Sequence, residues 1–384
     1  MRTTFLPYNL PYIGEEEIAS VVEVLKSGWL TTGSVTHKFE EIIKDLTGAK
    51  HAIALNSCTA GLHLSLVALG IGPGDEVIIP DMTFCATANV VIHTGAKPVI
   101  VDVMRETYHI DPDAIERAIT PKTKVIIPVH YAGQACDMDR IMAIAKKHHL
   151  DVVEDAAHSI GVTYKGKQIG TLGTTTSFSF YVTKNVTTAE GGVVTTNDDV
   201  LADQIRILTL HGISRDAWKR YTAEGTWYYE VIKPGFKCNL TDLAAAVGIP
   251  QMKRMEWFYQ RRAELADILT TGLRDLPGIS TPKTRKDTSN IWHLYVIEVD
   301  EQRAGISRDT MIEALKKRNI GASVHFIPLH RHPAYRQYGY TENELPVSSE
   351  IFPRILSLPL YPKMTNQDAQ DVIDAVRESL GRPA

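Results

Sequence analysis

Short apolar runs alternate with longer segments of helical apolar spacing from about residue 50 to about residue 245. This alternation is typical of crossover units, in which a helix connects two parallel strands of one sheet. The sequence therefore predicts an α/β fold with one large, mostly parallel sheet. Its seven strands are expected at His51–Leu55, Glu76–Ile79, Pro98–Val103, Lys124–Val129, Asp151–Glu154, Thr176–Tyr181 and Gly192–Thr196.

The pattern changes after Pro250, and the chain of 384 residues is longer than one hydrophobic core usually allows. We therefore predict a large domain at residues 1–245 and a smaller α+β domain at residues 246–384. A helix at Glu15–Ser27, stopped by Gly28, is expected before the large sheet. Further helices are expected at Ala60–Leu69, Met138–Lys147, 251–274, Arg308–Lys317 and Asn366–Leu380, and a further strand at Trp292–Val299.

The composition excludes several classes of function. The net charge is −4, and no block of Lys and Arg is present, which argues against nucleic acid or membrane surfaces as partners. No window reaches the ~20 apolar residues of a membrane span, and the first residues do not resemble a signal peptide, so we expect a cytoplasmic protein. No metal site is expected, because His325, His330 and His332 fit no ligand spacing, and the four cysteines form no CxxC pair.

Three separate segments carry residues that could do chemistry. Asp155 is placed at the carboxyl end of a predicted parallel strand, although an aspartate there is also a common helix cap. Lys184 follows another strand and precedes a stretch of small residues, where a lysine would ordinarily be a solvated loop residue. The segment 56–61, Asn-Ser-Cys-Thr-Ala-Gly, begins a helix whose free N–H groups suit a phosphate, although most such helix starts bind nothing.

Together, these segments favour a site for pyridoxal 5′-phosphate. The helix start would hold the phosphate, and the carboxylate of Asp155 would pair with the protonated pyridine nitrogen. Lys184 would bind the aldehyde as an imine and would then carry protons between the substrate and the cofactor. This proton transfer is the step that an aminotransferase performs.

Five motifs along the chain resemble the DegT-type sugar aminotransferases. They are Asn-Ser-Cys-Thr-Ala-Gly (56–61), Val-Glu-Asp-Ala-Ala-His (153–158), Ser-Phe-Ser-Phe-Tyr-Val-Thr-Lys-Asn (177–185), Glu-Gly-Gly (190–192) and Asn-Leu-Thr-Asp (239–242). Within that family, segments 126–133, 189–192 and 299–309 are most similar to the UDP-4-amino-4-deoxy-L-arabinose aminotransferase branch. The resemblance implies a fold-type I pyridoxal enzyme, a mixed and mostly parallel sheet, and a homodimer whose active sites are each completed by the partner subunit.

The resemblance also assigns roles to single residues. Lys184 matches the Schiff-base lysine, and Asp155 matches the partner of the pyridine nitrogen. The other cofactor positions are Phe84 stacked on the ring, His158 beside the ring's 3-hydroxyl, Cys58, Thr59 and Ser179 at the phosphate, and Asn239 reaching the phosphate from the partner subunit. The matches to the regions that approach the sugar nucleotide include Trp29, Thr31, Thr32 and His325.

The expected reaction is transamination, with L-glutamate as donor and a UDP- or TDP-linked 4-keto sugar as acceptor, giving an amino sugar for a surface polysaccharide or glycoconjugate. The chain departs from the arabinose branch in having Phe84 where that branch has Trp, Asn56–Thr59 where it has Ser-Ser-Ala-Thr, and a different segment Ile327–Arg336. These departures concern the substrate more than the reaction.

Two alternatives remain open from the sequence. The related sugar 3-dehydratases use the same scaffold but carry His in place of the Schiff-base lysine, so Lys184 argues against this reading. A regulator that binds pyridoxal phosphate without catalysis would have no need to keep the lysine, the aspartate and the phosphate site together.

Overall fold

The computed structural model describes residues 2–214 and 228–382. Its centre is a mixed, mostly parallel sheet with the strand order β1-β9-β8-β5-β4-β2-β3. Strand β9 runs antiparallel to both of its neighbours, and the other pairs are parallel. The strands are β1 His51–Leu55, β2 Glu76–Pro80, β3 Lys97–Val101, β4 Thr123–Ile126, β5 Asp151–Ala156, β8 Thr175–Ser179 and β9 Gly192–Thr196, with the short hairpin β6 Thr163–Tyr164 and β7 Lys167–Gln168 between β5 and β8. The seven-stranded sheet predicted from the sequence is confirmed.

Three predicted strands extended too far at their carboxyl ends: Pro98–Val103, Lys124–Val129 and Thr176–Tyr181. Beyond β3 and β4, the buried apolar residues form only isolated bridges, which do not extend the ladder between strands, and beyond β8 Tyr181 is exposed. Val103 forms a single bridge to Ile110, and Val129 forms one to Asp155. A run of apolar residues in the sequence indicates burial. It does not distinguish a strand from a loop that packs at the edge of the sheet.

The helices agree with most predictions, and α1 begins and ends where the sequence indicated, with Gly28 in the left-handed conformation. Helix α2 was not predicted. It begins after Gly33, which offers no side-chain cap, so the usual start signal is missing. The helices are α1 Glu15–Ser27, α2 Ser34–Thr47, α3 Cys58–Ala68, α4 Cys85–His93, α5 Pro112–Ala118, α6 Met138–His148, α7 Asp199–Thr209, α8 Asp242–Lys253, α9 Met255–Leu273, α10 Glu301–Ala304, α11 Arg308–Lys317, α12 Pro346–Ile351 and α13 Asn366–Ser379.

A second hydrophobic core lies around a smaller antiparallel sheet, β10 Ile279–Ser280, β11 Tyr295–Val299 and β12 Ile355–Leu358. Side chains of α9, α11 and α13 contribute to this core. Leu6 also belongs to it and pairs with Ile320, so the start of the chain packs with its last third. The division at residues 245 and 246 stays a prediction.

No helix within residues 2–214 and 228–382 combines the length and the apolar character that crossing a membrane requires.

The large sheet brings four connections to one edge, because the carboxyl ends of parallel strands meet there. Strand β1 leads into α3, and β2 leads to Phe84, the residue that precedes α4. Asp155 lies near the end of β5, and Ser179 ends β8. Residues that are far apart in the sequence therefore meet at this edge.

Candidate active site

A cavity of about 550 Å³ opens at the carboxyl edge of the large sheet. A cavity of this size is typical of small-molecule and cofactor sites. It brings together most of the residues predicted from the sequence: Cys58, Thr59, Phe84, Asp155, His158, Ser179, Lys184 and His325.

Lys184 lies in the loop between β8 and β9. The loop turns back on itself, since the N–H of Lys184 donates to Tyr181 O at 2.9 Å and the N–H of Thr188 donates to Phe180 O at 2.9 Å. Burial lowers the pKa of the Lys184 amine to about 8, against the opposing effects of Cys58 and Asp155. The neutral amine, which is the form that attacks a carbonyl, is therefore much more populated near neutral pH than in an ordinary lysine.

Asp155 presents a buried carboxylate to the same cavity, and the residue is only 5% exposed. The hydroxyl of Thr87 donates to Asp155 Oδ2 at 2.9 Å, and the N–H of Ala157 donates to Oδ1 at 3.2 Å. Burial raises the pKa of this carboxyl, while these two hydrogen bonds and the charge of Lys184 oppose the rise. The carboxylate is therefore fixed in orientation, and a cation brought next to it would be stabilised.

The start of α3 could hold a phosphate. Ser57 caps the helix by accepting from the N–H of Ala60, which leaves the N–H groups of Cys58 and Thr59 without an acceptor inside the helix. Ser179, which carries a hydroxyl, lines the same cavity. Free N–H groups at the positive end of a helix, next to a hydroxyl, are suited to bind a phosphate group.

Gly192 lets β9 lie directly against this helix start. A Cβ at position 192 would lie 2.3 Å from the carbonyl carbon of Ser57 and 2.4 Å from Cys58 N. These distances are too short, so any side chain there would force the backbone to move. The missing side chain is thus a requirement for β9 to pack against the start of α3. Together with the buried carboxylate of Asp155 and the amine of Lys184, this geometry fits pyridoxal phosphate.

We expect Gly192→Ala to lower the free energy of unfolding by about 1–3 kcal/mol, because the added methyl group must push the start of α3 away. The same displacement should weaken the binding of inorganic phosphate. Urea unfolding and phosphate titration measure the two effects. Gly72→Ala is the matched control, since a Cβ there meets only Thr94 O at 3.8 Å. Equal unfolding free energies for the two variants would contradict the prediction.

His158 lies in the cavity as a neutral imidazole. Its Nδ1 accepts a hydrogen bond from the N–H of Ala132 at 3.4 Å, so the proton of the neutral ring is on Nε2. Burial, with the charge of Lys184, holds its pKa well below the usual range. His158 can therefore donate a hydrogen bond from Nε2 into the cavity without carrying a charge.

Phe84 and His325 also line the cavity. Phe84 is 59% exposed, and its ring centroid is 6.0 Å from that of Phe326. An exposed ring on the wall of a cavity is available to stack on a planar ligand. His325 contacts Ser357 Oγ through Nδ1 at 2.9 Å, and burial lowers its pKa to about 4.

Sequence reasoning missed several residues that line the cavity, among them Tyr8, Asn9 and His293. Asn9 Nδ2 donates to Thr183 O at 3.2 Å, and the ring of Tyr8 lies 5.3 Å from that of His325. Nothing in the first ten residues indicated this contact. For His293, a signal existed, because it is a polar residue inside an apolar run that was assigned to a strand.

Four predicted site residues do not line this cavity: Trp29, Thr31, Thr32 and Asn239. They associate with one another instead. Asn239 Nδ2 donates to Thr32 Oγ1 at 2.7 Å, and Trp29 Nε1 donates to Thr32 O at 3.0 Å. Asp242 holds the same segment by accepting from the N–H of Gly33 at 2.8 Å. Within one chain, Trp29, Thr32 and Asn239 are thus linked by hydrogen bonds outside the cavity, and Asn239 also pairs with Leu55 at the end of β1.

The segment Ile327–Arg336 also lies outside the cavity. His330 Nδ1 contacts Asp81 Oδ2 at 2.6 Å in a buried pair, and the hydroxyl of Ser348 donates to the same oxygen. This pair ties the loop after β2 to the segment. Among the described residues, no group of three or more His, Cys, Asp or Glu is placed to hold a metal ion.

Comparison with known proteins gives consistent matches along the chain. The profile of the DegT/DnrJ/EryC1/StrS aminotransferase family matches residues 11–377. An uncharacterized protein of Methanocaldococcus jannaschii is 55% identical over 379 residues, covering 98% of each chain. The spore coat polysaccharide biosynthesis protein SpsC of Bacillus subtilis is 53% identical over 379 residues, covering 98% of this chain and 97% of that one. A putative sugar aminotransferase of Streptococcus pneumoniae in its PMP form has a TM-score of 0.92 at 36% identity, covering 98% of this chain and 99% of that one.

Proposed function

The chain belongs to the DegT/DnrJ/EryC1/StrS aminotransferase family, and from this premise we propose that it transfers the amino group of L-glutamate to the ketone of a nucleotide-linked sugar. Its cofactor is proposed to be pyridoxal phosphate. The observation that carries the proposal is the meeting, in one cavity, of the Lys184 amine, the buried Asp155 carboxylate and the phosphate-binding start of α3. The S. pneumoniae protein solved in its PMP form supports this choice of cofactor.

Each part of the cavity has a task in holding the cofactor. The N–H groups at Cys58 and Thr59, with the Ser179 hydroxyl, would bind the phosphate, and Phe84 would cover one face of the ring. Asp155 would keep the ring nitrogen protonated. When bound, the cofactor supplies an electron sink for the charge that develops at the substrate carbon.

Lys184 performs two tasks with the same atom. Its neutral Nζ would hold the cofactor covalently and, once free of it, would take up and return the proton at the substrate carbon. A pKa near 8 allows Nζ to accept and to release a proton without a large penalty near neutral pH. The neutral His158 adds a hydrogen-bond donor without adding a second positive charge.

The proposed test of the cofactor and the donor uses absorbance. Purified protein loaded with pyridoxal phosphate should show the visible band of the bound cofactor and lose it on addition of L-glutamate. The band should return only when a ketosugar nucleotide is added. A band that does not respond to L-glutamate would favour a regulator that binds the cofactor without catalysis. Conversion with loss of a hydroxyl from the sugar, and without an incorporated amine, would favour a dehydratase.

We further propose a homodimer with shared active sites. Asn239 and Trp29 lie outside the cavity of their own chain, as expected for residues that complete the site of a partner. Helix α1 leaves Ile18, Val22 and Leu25 exposed at a spacing that places them on one face. An apolar helix face of this kind is typical of an interface.

Mixing two inactive variants tests the sharing of sites. Lys184→Ala and Asn239→Ala subunits, unfolded and refolded together, should form mixed dimers with one intact site. Random pairing should then restore about a quarter of the wild-type rate. Each variant refolded alone is the control. No recovery in the mixture, with both variants dimeric, would place Asn239 in its own subunit's site or outside any site.

The finer details of the substrate remain proposals. The name of the B. subtilis relative, a spore coat polysaccharide biosynthesis protein, supports a product that is destined for a surface polysaccharide. The UDP-arabinose branch, the choice between UDP and TDP, and the cytoplasmic location stay predictions from the sequence. A panel of ketosugar nucleotides, with NMR of the products, tests the nucleotide and the position that is aminated.

A further inference from the structure

Asn185, the residue directly after Lys184, is tied to a distant part of the chain. Its Oδ1 accepts from Nδ1 of His293 at 2.9 Å, and its Nδ2 donates to Ile291 O at 2.9 Å. The carbonyl of Ile291 can only accept a hydrogen bond, which fixes the orientation of the Asn185 amide, and Oδ1 then requires a proton on His293 Nδ1. Two hydrogen bonds therefore connect the neighbour of Lys184 to the segment 291–293.

His293 is a buried and neutral side chain on the wall of the cavity. It is 5% exposed, and its ring centroid lies 4.2 Å from that of His158. Burial, with the charges of its neighbours, holds its pKa well below the usual range. Because the neutral ring carries its one proton on Nδ1, it can donate only the hydrogen bond to Asn185. The ring also packs against the ring of His158.

The backbone of the same segment is pressed against the turn that holds His158. A Cβ at Gly133 would lie 2.9 Å from His293 N and 3.1 Å from Trp292 N. The N–H of Ala132, in this turn, is the donor to His158 Nδ1. The segment 291–293 therefore contacts Asn185, the neighbour of Lys184. It also contacts the turn at 132–133, whose backbone donates the hydrogen bond to His158.

We propose that His293 is a positioning residue for amino transfer, acting through Asn185 to fix the Lys184 loop and through its ring to fix His158. The inference rests on the proposed function of Lys184. His293 lies two residues before β11, whose Tyr295 and Ile297 belong to the second core.

Loss of the His293 hydrogen bond should change the environment of the Lys184 amine. With the loop released, the amine gains contact with water, and its pKa rises from about 8 towards the ordinary value of a lysine. Less neutral amine is then present at neutral pH. The titratable groups around the amine are Asp155 at the end of β5, Cys58 at the start of α3 and the neutral imidazoles of His158, His293 and His325.

The experiment measures how fast cofactor-free protein captures pyridoxal phosphate as a function of pH, followed by absorbance. His293→Phe keeps a ring and removes the donor to Asn185, whereas His293→Asn keeps a donor at the position of Nδ1. We expect the Phe variant to capture about tenfold more slowly at neutral pH, with the midpoint of its pH profile raised by about one unit. The Asn variant should recover most of this loss, and all rates should converge at high pH.

Three outcomes would overturn the inference: a Phe variant with the wild-type midpoint, an Asn variant as slow as the Phe variant, or a loss of rate that is the same at every pH. If the Phe variant does not fold, Asn185→Ala removes the same hydrogen bond from its other end and must raise the midpoint likewise. The failure of the proposed function looks different, because wild-type protein would then either capture no pyridoxal phosphate at any pH or capture it and leave the absorbance band unchanged on addition of L-glutamate.

Discussion

Lys184→Ala is expected to reduce kcat for amino transfer by at least about 10³-fold. Among the described residues that line the cavity, Lys184 is the only lysine, and burial lowers the pKa of its amine to about 8. The variant would therefore lose both the proposed covalent hold on the cofactor and the proposed proton carrier. Steady-state kinetics with L-glutamate and a ketosugar nucleotide, at saturating pyridoxal phosphate, measures the loss.

Lys167→Ala is the matched control for this prediction. Lys167 is an exposed lysine in the short strand β7, away from the cavity, and its removal should leave kcat unchanged. Thermal unfolding of both variants checks that the fold is retained. A Lys184→Ala variant that turns over at a rate close to wild type would refute the assigned chemistry.

Asp155→Asn is expected to lower kcat by about 10²–10³-fold, the usual range for the loss of one preorganised electrostatic group. The amide has the same shape, and its oxygen can still accept from Thr87 or from the N–H of Ala157. It carries no charge, however, and the ring nitrogen of the cofactor would lose its proton. The binding of pyridoxal phosphate should fall less than kcat, because the phosphate contacts are untouched.

Thr87→Val separates the charge of Asp155 from its orientation. It removes the hydrogen bond to Oδ2 at 2.9 Å and keeps the carboxylate. We expect it to lower kcat by about tenfold, the value of one hydrogen bond to a charged group. If Asp155→Asn were no slower than Thr87→Val, the charge of Asp155 would not contribute to the reaction.

The elements predicted most accurately from the sequence are those whose pattern is local. The alternation of apolar runs gave the seven strands, and Gly28 marked the end of α1. Strand ends were placed too late where apolar residues continue into buried loops, as at Val129. Helix α2 was missed because Gly33 caps it without a side chain. Local sequence patterns indicate burial and periodicity. They carry no information on the strand pairing that determines where a strand ends.

Prediction of the candidate site from the sequence is limited in the same way. Asp155, Lys184 and the start of α3 could be found because each follows a strand of the large sheet, and parallel strands bring their carboxyl ends together. Tyr8 and His293 reach the same cavity from distant parts of the chain, and only the packing of the two cores places them there. Asn239 lies outside the cavity of its own chain, and its predicted role depends on a second subunit.

The most direct test of the central claim follows the nitrogen atom itself. Wild-type protein loaded with pyridoxal phosphate is incubated with L-glutamate labelled with heavy nitrogen and a ketosugar nucleotide, and the sugar product is analysed by mass spectrometry. We predict an amino sugar nucleotide that carries the label, formed together with 2-oxoglutarate. A sugar nucleotide that remains unlabelled with every ketosugar tested, while L-glutamate is left unchanged, would contradict the assignment.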